Sequence, residues 1–486
     1  MGLRAVSVVL AALLAAEGGV PGLPDDLRRR LEDPDPKVRS EGLKLLRGKV
    51  DEAAARAVVP FLDDPDAYCR DYAAVMLLPK PADAAGTAWI LERAPRASTP
   101  AGRLAAADAL AAIGGPAAAP GLARLLGDRD ARVRTTALDG LARTGLPADP
   151  TLAARCRAAI RDPDPGVRAA ALEALAAWGE ADAEAAAARA LADPAAVARS
   201  AAAALAARRF PALFARSFPA LAADADWGVR AEAARGATSL AAEPPIDLLA
   251  GLLEDPRLRI RDLAHDALRG ITGVDLPPGK GDWLEWWTRN RAGWKGAPAK
   301  PRPAARDSVA AWHGLPFRSD AVLFVVDLSG SMEQPSDAVD GRPRIAIATE
   351  ELNRTLNALP DAARADVLAF MLEPARALGK IQPLAGGARA RLAKWFERRP
   401  RGQRGDPGAA LPAAILDGEA DTLLFLGDGA ASAGDCLFRE RIRERVRQAL
   451  RLRPVLIHAV AFGSRPLDRA FLEEVAESTG GRCIER

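Results

Sequence analysis

AVLFVVDLSGSM, residues 321–332, is an apolar run rich in valine that ends at Asp327 and passes directly into Ser329-Gly330-Ser331. A short apolar run bounded by turn residues is typical of a strand buried on both faces of a parallel sheet. In such sheets ligands bind beyond the carboxyl ends of the strands, where Asp327 and the two serines fall. One carboxylate and two hydroxyls suit a hard cation such as Mg²⁺ or Mn²⁺, with Ca²⁺ as a further candidate.

This Asp-x-Ser-x-Ser pattern resembles the metal-ion-dependent adhesion site of von Willebrand factor type A (VWA) domains, and the resemblance covers residues 308–486. It implies an α/β doubly wound, Rossmann-like domain in which three loops hold a metal ion. In that family a carboxylate of a binding partner often completes the coordination. Asp327, Ser329 and Ser331 then form the first loop. The alternative is structural: Asp327 caps the next helix and the serines turn the chain.

Asp428 is the second match to the VWA metal site. The predicted strand over residues 422–426 leads into Gly427-Asp428-Gly429. The family places an aspartate here, usually within Ser-Asp-Gly, and it reaches the metal directly or through water. This chain keeps the aspartate and the second glycine but has Gly427 in place of the serine.

The third loop departs from the family, which places a threonine there. No serine or threonine occurs between Thr355 and Thr422, and the corresponding stretch is GQRGDPG, residues 402–408. Asp406 is the one replacement that we identify. As a metal ligand it would add a third carboxylate and bind the cation more tightly. Alternatively, it caps the helix that begins at Pro407 and leaves one coordination position to water.

Residues 25–275 form a repeat array. An aspartate, often beside proline, precedes an apolar residue and an arginine, as in DPDPKVR, DRDARVR and DPDPGVR, and a helix rich in alanine and leucine follows. The intervals between successive arginines are 31 to 34 residues, which indicates a solenoid. The arginines are Arg39, Arg70, Arg103, Arg134, Arg168, Arg199, Arg230 and Arg261.

These repeats resemble HEAT repeats, particularly the bacterial subtype related to phycocyanobilin-lyase modules, which implies an all-α superhelical solenoid of about eight repeats. Asp35 and Asp164 are expected to cap helices, with Pro36 and Pro165 at their first positions. The arginines lie beside these caps, and in the family they bridge successive repeats. We therefore expect them to be paired inside the array rather than to bind a ligand.

The segments outside these two regions carry weaker signals. Residues 1–24, with Arg4 ahead of an apolar run, predict a signal peptide and hence export to the periplasm, cell envelope or exterior. The alternative is a first helix and a cytoplasmic protein. Residues 276–307 combine a tryptophan-rich helix that caps the solenoid with a Pro/Ala linker. Cys436 and Cys483 could pair in an exported chain.

Together these patterns predict a non-enzymatic adhesion or interaction protein. Its expected partner is a protein that offers an acidic group to the metal, with the solenoid surface as a docking scaffold. A net charge of +3 favours neither nucleic acid nor anionic membrane, and no later stretch is apolar enough to span a bilayer. One alternative is a metal-independent assembly module. Another is a haloacid-dehalogenase-like hydrolase, which lacks support because Ser329 stands where that family has its second aspartate.

Overall fold

The computed structural model describes residues 22–145, 150–179, 181–240, 242–296, 308–336, 341–399, 402 and 404–486. It divides into two compact units: residues 1–186 with 433–442, and residues 187–432 with 443–486. Most of the predicted signal peptide (residues 1–21) and of the predicted linker (residues 297–307) lies outside the described residues. None of the described helices is long and apolar enough to cross a membrane.

Short helices follow one another through the repeat region and alternate with brief turns. They are Asp25–Leu31, Pro36–Leu45, Glu52–Val58, Ala67–Tyr72, Ala84–Arg93, Pro100–Ile113, Gly115–Leu125, Ala131–Arg143, Pro150–Ala159, Pro165–Ala177, Ala183–Ala190, Ala196–Arg209, Pro211–Ala222, Trp227–Gly236, Ile246–Leu252, Leu258–Thr272 and Lys280–Asn290. Alanine and leucine side chains fill the space between them. Small side chains let neighbouring helices approach closely, which explains the alanine-rich composition.

The repeated aspartates cap helices, as the sequence predicts. Asp35 Oδ1 accepts a hydrogen bond from the Lys37 N–H at 2.9 Å, and Asp164 Oδ1 accepts one from the Val167 N–H at 3.0 Å. Pro36 and Pro165 are the first residues of the helices that follow. At that position a missing N–H breaks no helical hydrogen bond.

The predicted internal pairing of the arginines is confirmed for five of them, and the structure identifies the acids. Each of these arginines pairs with an aspartate 25 to 28 residues further along, two positions before the next cap. In the first unit the pairs are Arg39–Asp64 at 2.9 Å, Arg103–Asp128 at 2.5 Å and Arg134–Asp162 at 2.7 Å. In the second unit they are Arg199–Asp224 at 2.8 Å and Arg230–Asp255 at 2.6 Å.

The C-terminal region contains a sheet with helices between its strands. The strands are β1 Ala310–Trp312, β2 Leu315–Phe317, β3 Ala321–Asp327, β4 Arg364–Phe370, β5 Pro374–Arg376, β6 Gln382–Pro383, β7 Thr422–Gly427, β8 Leu456–Ala461 and β9 Cys483–Glu485. The order in the sheet is β5-β4-β3-β7-β8-β9. Strands β3, β4, β7, β8 and β9 run parallel, while β5 and β6 pair antiparallel with β4. The helices are Arg344–Ala358, Ala388–Arg398, Pro407–Leu416, Arg439–Leu452 and Pro466–Ser478.

All seven residues of β3 are buried, and the strand lies between β4 and β7 at the centre of the sheet. The pairing with β4 continues in register from Ala321 to Asp327. The expected strand and the expected α/β architecture are therefore present. Two short strands, β5 and β6, follow β4 and are separated by residues 377–381. No disulfide bond joins cysteines of the described residues.

Residues 433–442 of the C-terminal region pack against the repeats of the first unit. The Arg441 guanidinium is 1% exposed and forms ion pairs with Asp71, which is fully buried, and with Asp108 at 2.7 Å. Asp71 also accepts the Leu437 N–H at 2.5 Å. The ring of Phe438 lies 5.5 Å from that of Tyr68. A buried arginine between two acids fixes the position of this segment, because removing one partner leaves a charge without compensation.

We expect Arg441→Ala to lower the free energy of unfolding by about 3–5 kcal/mol, because it leaves Asp71 buried and uncompensated. The measurement is urea denaturation followed by circular dichroism and tryptophan fluorescence. Arg443→Ala is the matched control: its ion pair with Glu474 is 40% and 52% exposed, and exposed pairs contribute at most about 1 kcal/mol. Equal effects of the two substitutions would contradict a stabilising role for the Arg441 cluster.

Asp421, just before β7, predicts a pH dependence of stability. Its side chain is fully buried, Ser319 and Thr422 donate hydrogen bonds to Oδ1, and the nearest Arg257 nitrogen is 3.8 Å away. Burial raises its pKa to about 6. The folded-state pKa of Asp421 exceeds the ordinary value near 4, so the folded state binds the proton more tightly than the unfolded state does. The stabilisation that this proton gives the folded state is lost as the pH rises from about 4 to about 6.

We expect the difference in unfolding free energy between wild type and Asp421→Asn to change by roughly 2–3 kcal/mol across that pH window, to the disadvantage of the wild type at pH 7. Urea denaturation at pH 4.5, 5.5, 6.5 and 7.5 measures it. Parallel pH profiles of the two proteins would show that Asp421 titrates at an ordinary pKa.

Candidate functional site

The first site loop begins where β3 ends. The Asp327 side chain is buried, and its Oδ1 accepts the Ser329 N–H at 2.7 Å. Ser329 Oγ lies 3.0 Å from Ser331 Oγ. The Leu328 N–H donates to the Phe370 carbonyl at the end of β4, which continues the strand pairing into the loop. The sheet thus holds one carboxylate and two hydroxyls in a single turn.

The second loop follows β7 and brings Asp428 to the same edge of the sheet. Asp428 Oδ1 accepts the Ala430 N–H at 2.9 Å, so the carboxylate is held by its own turn. A Cβ atom at Gly427 would lie 2.9 Å from the Asp327 Cβ. A side chain at this position would force its surroundings to shift, so glycine fits the packing here.

The third loop is tied to both others by backbone hydrogen bonds. The Gly402 N–H donates to the Leu328 carbonyl at 3.1 Å. The Gly405 N–H donates to Ser432 Oγ at 2.8 Å, and the Ser432 N–H donates back to the Gly405 carbonyl at 2.9 Å. A Cβ at Gly405 would lie 3.4 Å from both Asp327 Oδ1 and Ser329 Oγ. The backbone of Gly405 therefore borders the site directly.

Asp406, the predicted replacement for the missing threonine, caps the helix Pro407–Leu416. Its Oδ1 accepts the Ala409 N–H at 3.0 Å, and its own N–H donates to the Met371 carbonyl after β4 at 2.9 Å. The side chain is buried. The capping geometry that the sequence offered as one alternative is present, while contact with a metal stays a prediction.

Asp327 differs in its pKa and its contacts from the buried aspartates that are paired with arginines. Burial, reinforced by the negative charge of Asp428, raises the pKa of Asp327 to about 7, and the Ser329 hydrogen bonds oppose that rise. Among the described residues Asp327 forms no ion pair with an arginine or lysine, although the Arg344 guanidinium donates to the Ser331 carbonyl of the same loop at 3.3 Å. The buried Asp64, by contrast, shares two hydrogen bonds with Arg39.

The oxygens at this edge of the sheet that could bind a metal ion belong to carboxylates and hydroxyls. Nowhere in the part of the chain that the structure describes do three or more His, Cys, Asp or Glu side chains gather as a metal-binding group. A cation at this edge would therefore depend on the hydroxyls of Ser329 and Ser331 beside the two carboxylates. These four side chains fit a hard cation, which prefers oxygen ligands.

Sequence reasoning did not find Gly405 and Ser432. The third loop itself contains no serine or threonine. Ser432 lies on the loop after β7, and its Oγ accepts the N–H of Gly405 in the third loop. Only the spatial pairing of the two loops shows this. The repeated glycines around Asp406 were a signal for close backbone approach that could have been used.

Comparison with known proteins supports the repeat region most directly. A family model described as HEAT repeats matches residues 87–158. The match includes the helices Pro100–Ile113, Gly115–Leu125 and Ala131–Arg143. A search of curated protein sequences found no match.

Several solved structures are similar to this chain. A von Willebrand factor type A protein from Catenulispora acidiphila is 17% identical, with a TM-score of 0.29, over 35% of this chain and 40% of that protein. The CpcE–CpcF complex of phycocyanin lyase from Nostoc sp. PCC7120 is 20% identical, with a TM-score of 0.27, over 55% of this chain and 95% of that one. The Deinococcus radiodurans RO protein is 16% identical, with a TM-score of 0.22, over 90% and 93%. These scores are low, and the architecture rests on the helices and strands described above.

Asp406 can be tested by two substitutions. Asp406→Ala removes the cap and is expected to lower the free energy of unfolding by about 1 kcal/mol. Asp406→Asn keeps an oxygen acceptor, so its free energy of unfolding should lie within about 0.3 kcal/mol of the wild-type value. Urea denaturation in EDTA measures both without any contribution from a cation. Equal losses for the two variants would show that the carboxylate charge, rather than the cap, stabilises this loop.

Proposed function

We propose that the C-terminal region binds Mg²⁺ or Mn²⁺ through Asp327, Ser329, Ser331 and Asp428, and that the bound cation engages an acidic group of a partner protein. The HEAT repeats supply a separate docking surface, as solenoids of this kind do. The protein acts by binding rather than by catalysis. Residues 308–486 serve as a VWA-type recognition domain.

The observation that carries this proposal is the burial of the Asp327 carboxyl group without an ion pair among the described residues. Burying a carboxylate without a partner costs several kcal/mol, and a second carboxylate nearby adds repulsion. Some other buried aspartates are paired with arginines, as Asp71 is with Arg441. A divalent cation between Asp327 and Asp428 would remove both penalties at once.

The two serines would let a bound cation accept a further ligand. Their hydroxyls are neutral, so a cation held by two carboxylates and two hydroxyls has its charge balanced but its coordination incomplete. A carboxylate from a partner can then enter the remaining positions. Main-chain hydrogen bonds from Leu328, Gly402 and Gly405 hold the loops in place, so little reorganisation is needed when the partner arrives.

The second candidate is a metal-independent assembly module. It is favoured by Asp406, whose Oδ1 caps a helix, and by the absence of the family's threonine. Catalysis of the haloacid-dehalogenase type has less support, because Ser329 occupies the position of the acid/base aspartate and its hydroxyl contacts Ser331 rather than a base.

Asp327→Asn separates these functions in the full-length chain. In EDTA the variant should melt at a higher temperature than the wild type, because the amide keeps the Ser329 hydrogen bond without a buried charge. Addition of Mg²⁺ or Mn²⁺ should raise the melting temperature of the wild type, since a ligand that binds only the folded state stabilises it by RT ln(1 + [L]/Kd). The variant should not respond.

Asp421→Asn is the matched control, since it removes a buried carboxylate from the opposite, amino-terminal edge of β7. It should keep the full response to the cation. Titration calorimetry with Mg²⁺, Mn²⁺ and Ca²⁺ gives the affinity directly, and Asp406→Asn in the same titration tests whether that carboxylate contacts the cation. A wild-type protein that shows neither a thermal response nor heat of binding would favour the metal-independent module.

A further inference from the structure

A basic cavity lies beside the helix Ala388–Arg398, and we propose that it binds an acidic peptide segment. The cavity has a volume of about 410 Å³ and is open to solvent. It is lined by four cationic side chains and one aromatic ring: Arg391, Lys394, Trp395, Arg398 and Arg399. This site involves none of the metal-site side chains, and the proposal stands without the cation.

Helical spacing gathers these residues on one face. Arg391, Lys394, Trp395 and Arg398 are spaced by three, four and seven residues, so they form a continuous stripe. Leu392 and Phe396, on the other side of the helix, are buried in the core of the domain. Trp395 is half-buried, and the Arg399 guanidinium lies 4.9 Å from the centre of its ring. The cavity thus has an apolar wall and a positively charged rim.

The rim charges have no acidic counterpart in the described structure. None of the four cations forms an ion pair with a described carboxylate, and Arg391 donates only to the Gly386 carbonyl, at 3.2 Å. Some other arginines of the domain are paired: Arg389, on the same helix, with Asp361 at 2.7 Å, and Arg443 with Glu474 at 2.7 Å. Four unpaired like charges around one cavity repel one another, and a negatively charged ligand relieves that repulsion.

The size and lining of the cavity favour a peptide over a nucleic acid. Its volume lies within the range of small-ligand pockets and accommodates a few side chains. Single-stranded nucleic acid is held along a basic groove by several aromatic rings that stack on successive bases. Here Trp395 is the one ring of the lining, and Arg399 already covers it. Carboxylates for the cationic rim and an apolar side chain against the tryptophan match the cavity better.

The test uses full-length protein and a fluorescein-labelled peptide of ten glutamates, with a peptide of ten glutamines as the uncharged reference. Fluorescence anisotropy at about 0.1 M salt, where the Debye length is about 10 Å, gives the affinity in Mg²⁺ and in EDTA. The double variant Lys394→Glu/Arg398→Glu should bind the acidic peptide at least about tenfold more weakly, because it reverses half of the rim charge. Both side chains are exposed, and such substitutions seldom disturb folding.

The control is Lys380→Glu/Arg482→Glu, which makes the same change of net charge at exposed positions outside the cavity lining. Its affinity should stay within about twofold of the wild type, because these charges do not line the cavity and salt weakens their effect on the peptide. Equal weakening by both double variants would overturn the proposal, since only net charge would then matter. Binding of a ten-residue oligothymidylate without binding of the acidic peptide would also overturn it.

The two buffers keep this proposal distinct from the cation site. Peptide binding that persists in EDTA and is lost in the cavity variant supports the cavity, whether or not the cation binds. Binding that disappears in EDTA while the cavity variant behaves as wild type places the acidic group at Asp327 and Asp428 and overturns the cavity proposal.

Discussion

The burial of β3 on both faces is the constraint on which the candidate site depends. Its seven residues lie between β4 and β7 and beneath covering helices, so none of them reaches bulk water. Six of the side chains are apolar and stabilise the domain by that burial. The seventh, Asp327, is a carboxylate carried into the same surroundings by the register of the strand. The stability of the sheet therefore holds the carboxyl group of Asp327 in buried surroundings, where its charged form is costly. The proposed function of the site is to offset this cost with a bound cation.

Glycines determine what else can approach that carboxylate. Gly427 and Gly405 come so close to Asp327 that a Cβ at either position would press against the carboxylate or the neighbouring serine. Two backbone segments can therefore close around the first loop, and the hydrogen bonds of Ser432 hold them together. Gly427, which precedes Asp428, is compatible with this close packing.

The sequence predicted the parts of the structure that depend on local patterns. The strand that ends at Asp327, the helix caps at Asp35 and Asp164, and the pairing of the repeat arginines all follow from spacing and side-chain chemistry. Partners that are distant in sequence could not be derived in this way. The contact of Arg441 with Asp71 joins residues 370 positions apart, and nothing near Arg441 distinguishes it from the other arginines of its helix. Ser432 was missed for the same reason, because its role depends on which two loops meet.

Several buried acids of this protein are balanced by an arginine of the same chain, whereas Asp327 is not. Arg39 with Asp64 and Arg441 with Asp71 are complete within the chain, since each buried acid meets a guanidinium that also donates to nearby carbonyls. Such pairs hold elements in place and leave no capacity for a ligand. Asp327 and the rim of the basic cavity are incomplete in opposite senses, one lacking a cation and the other lacking an anion. The contrast with these internally paired acids supports the proposal that at Asp327 and at the rim of the cavity the balancing charge comes from outside the chain.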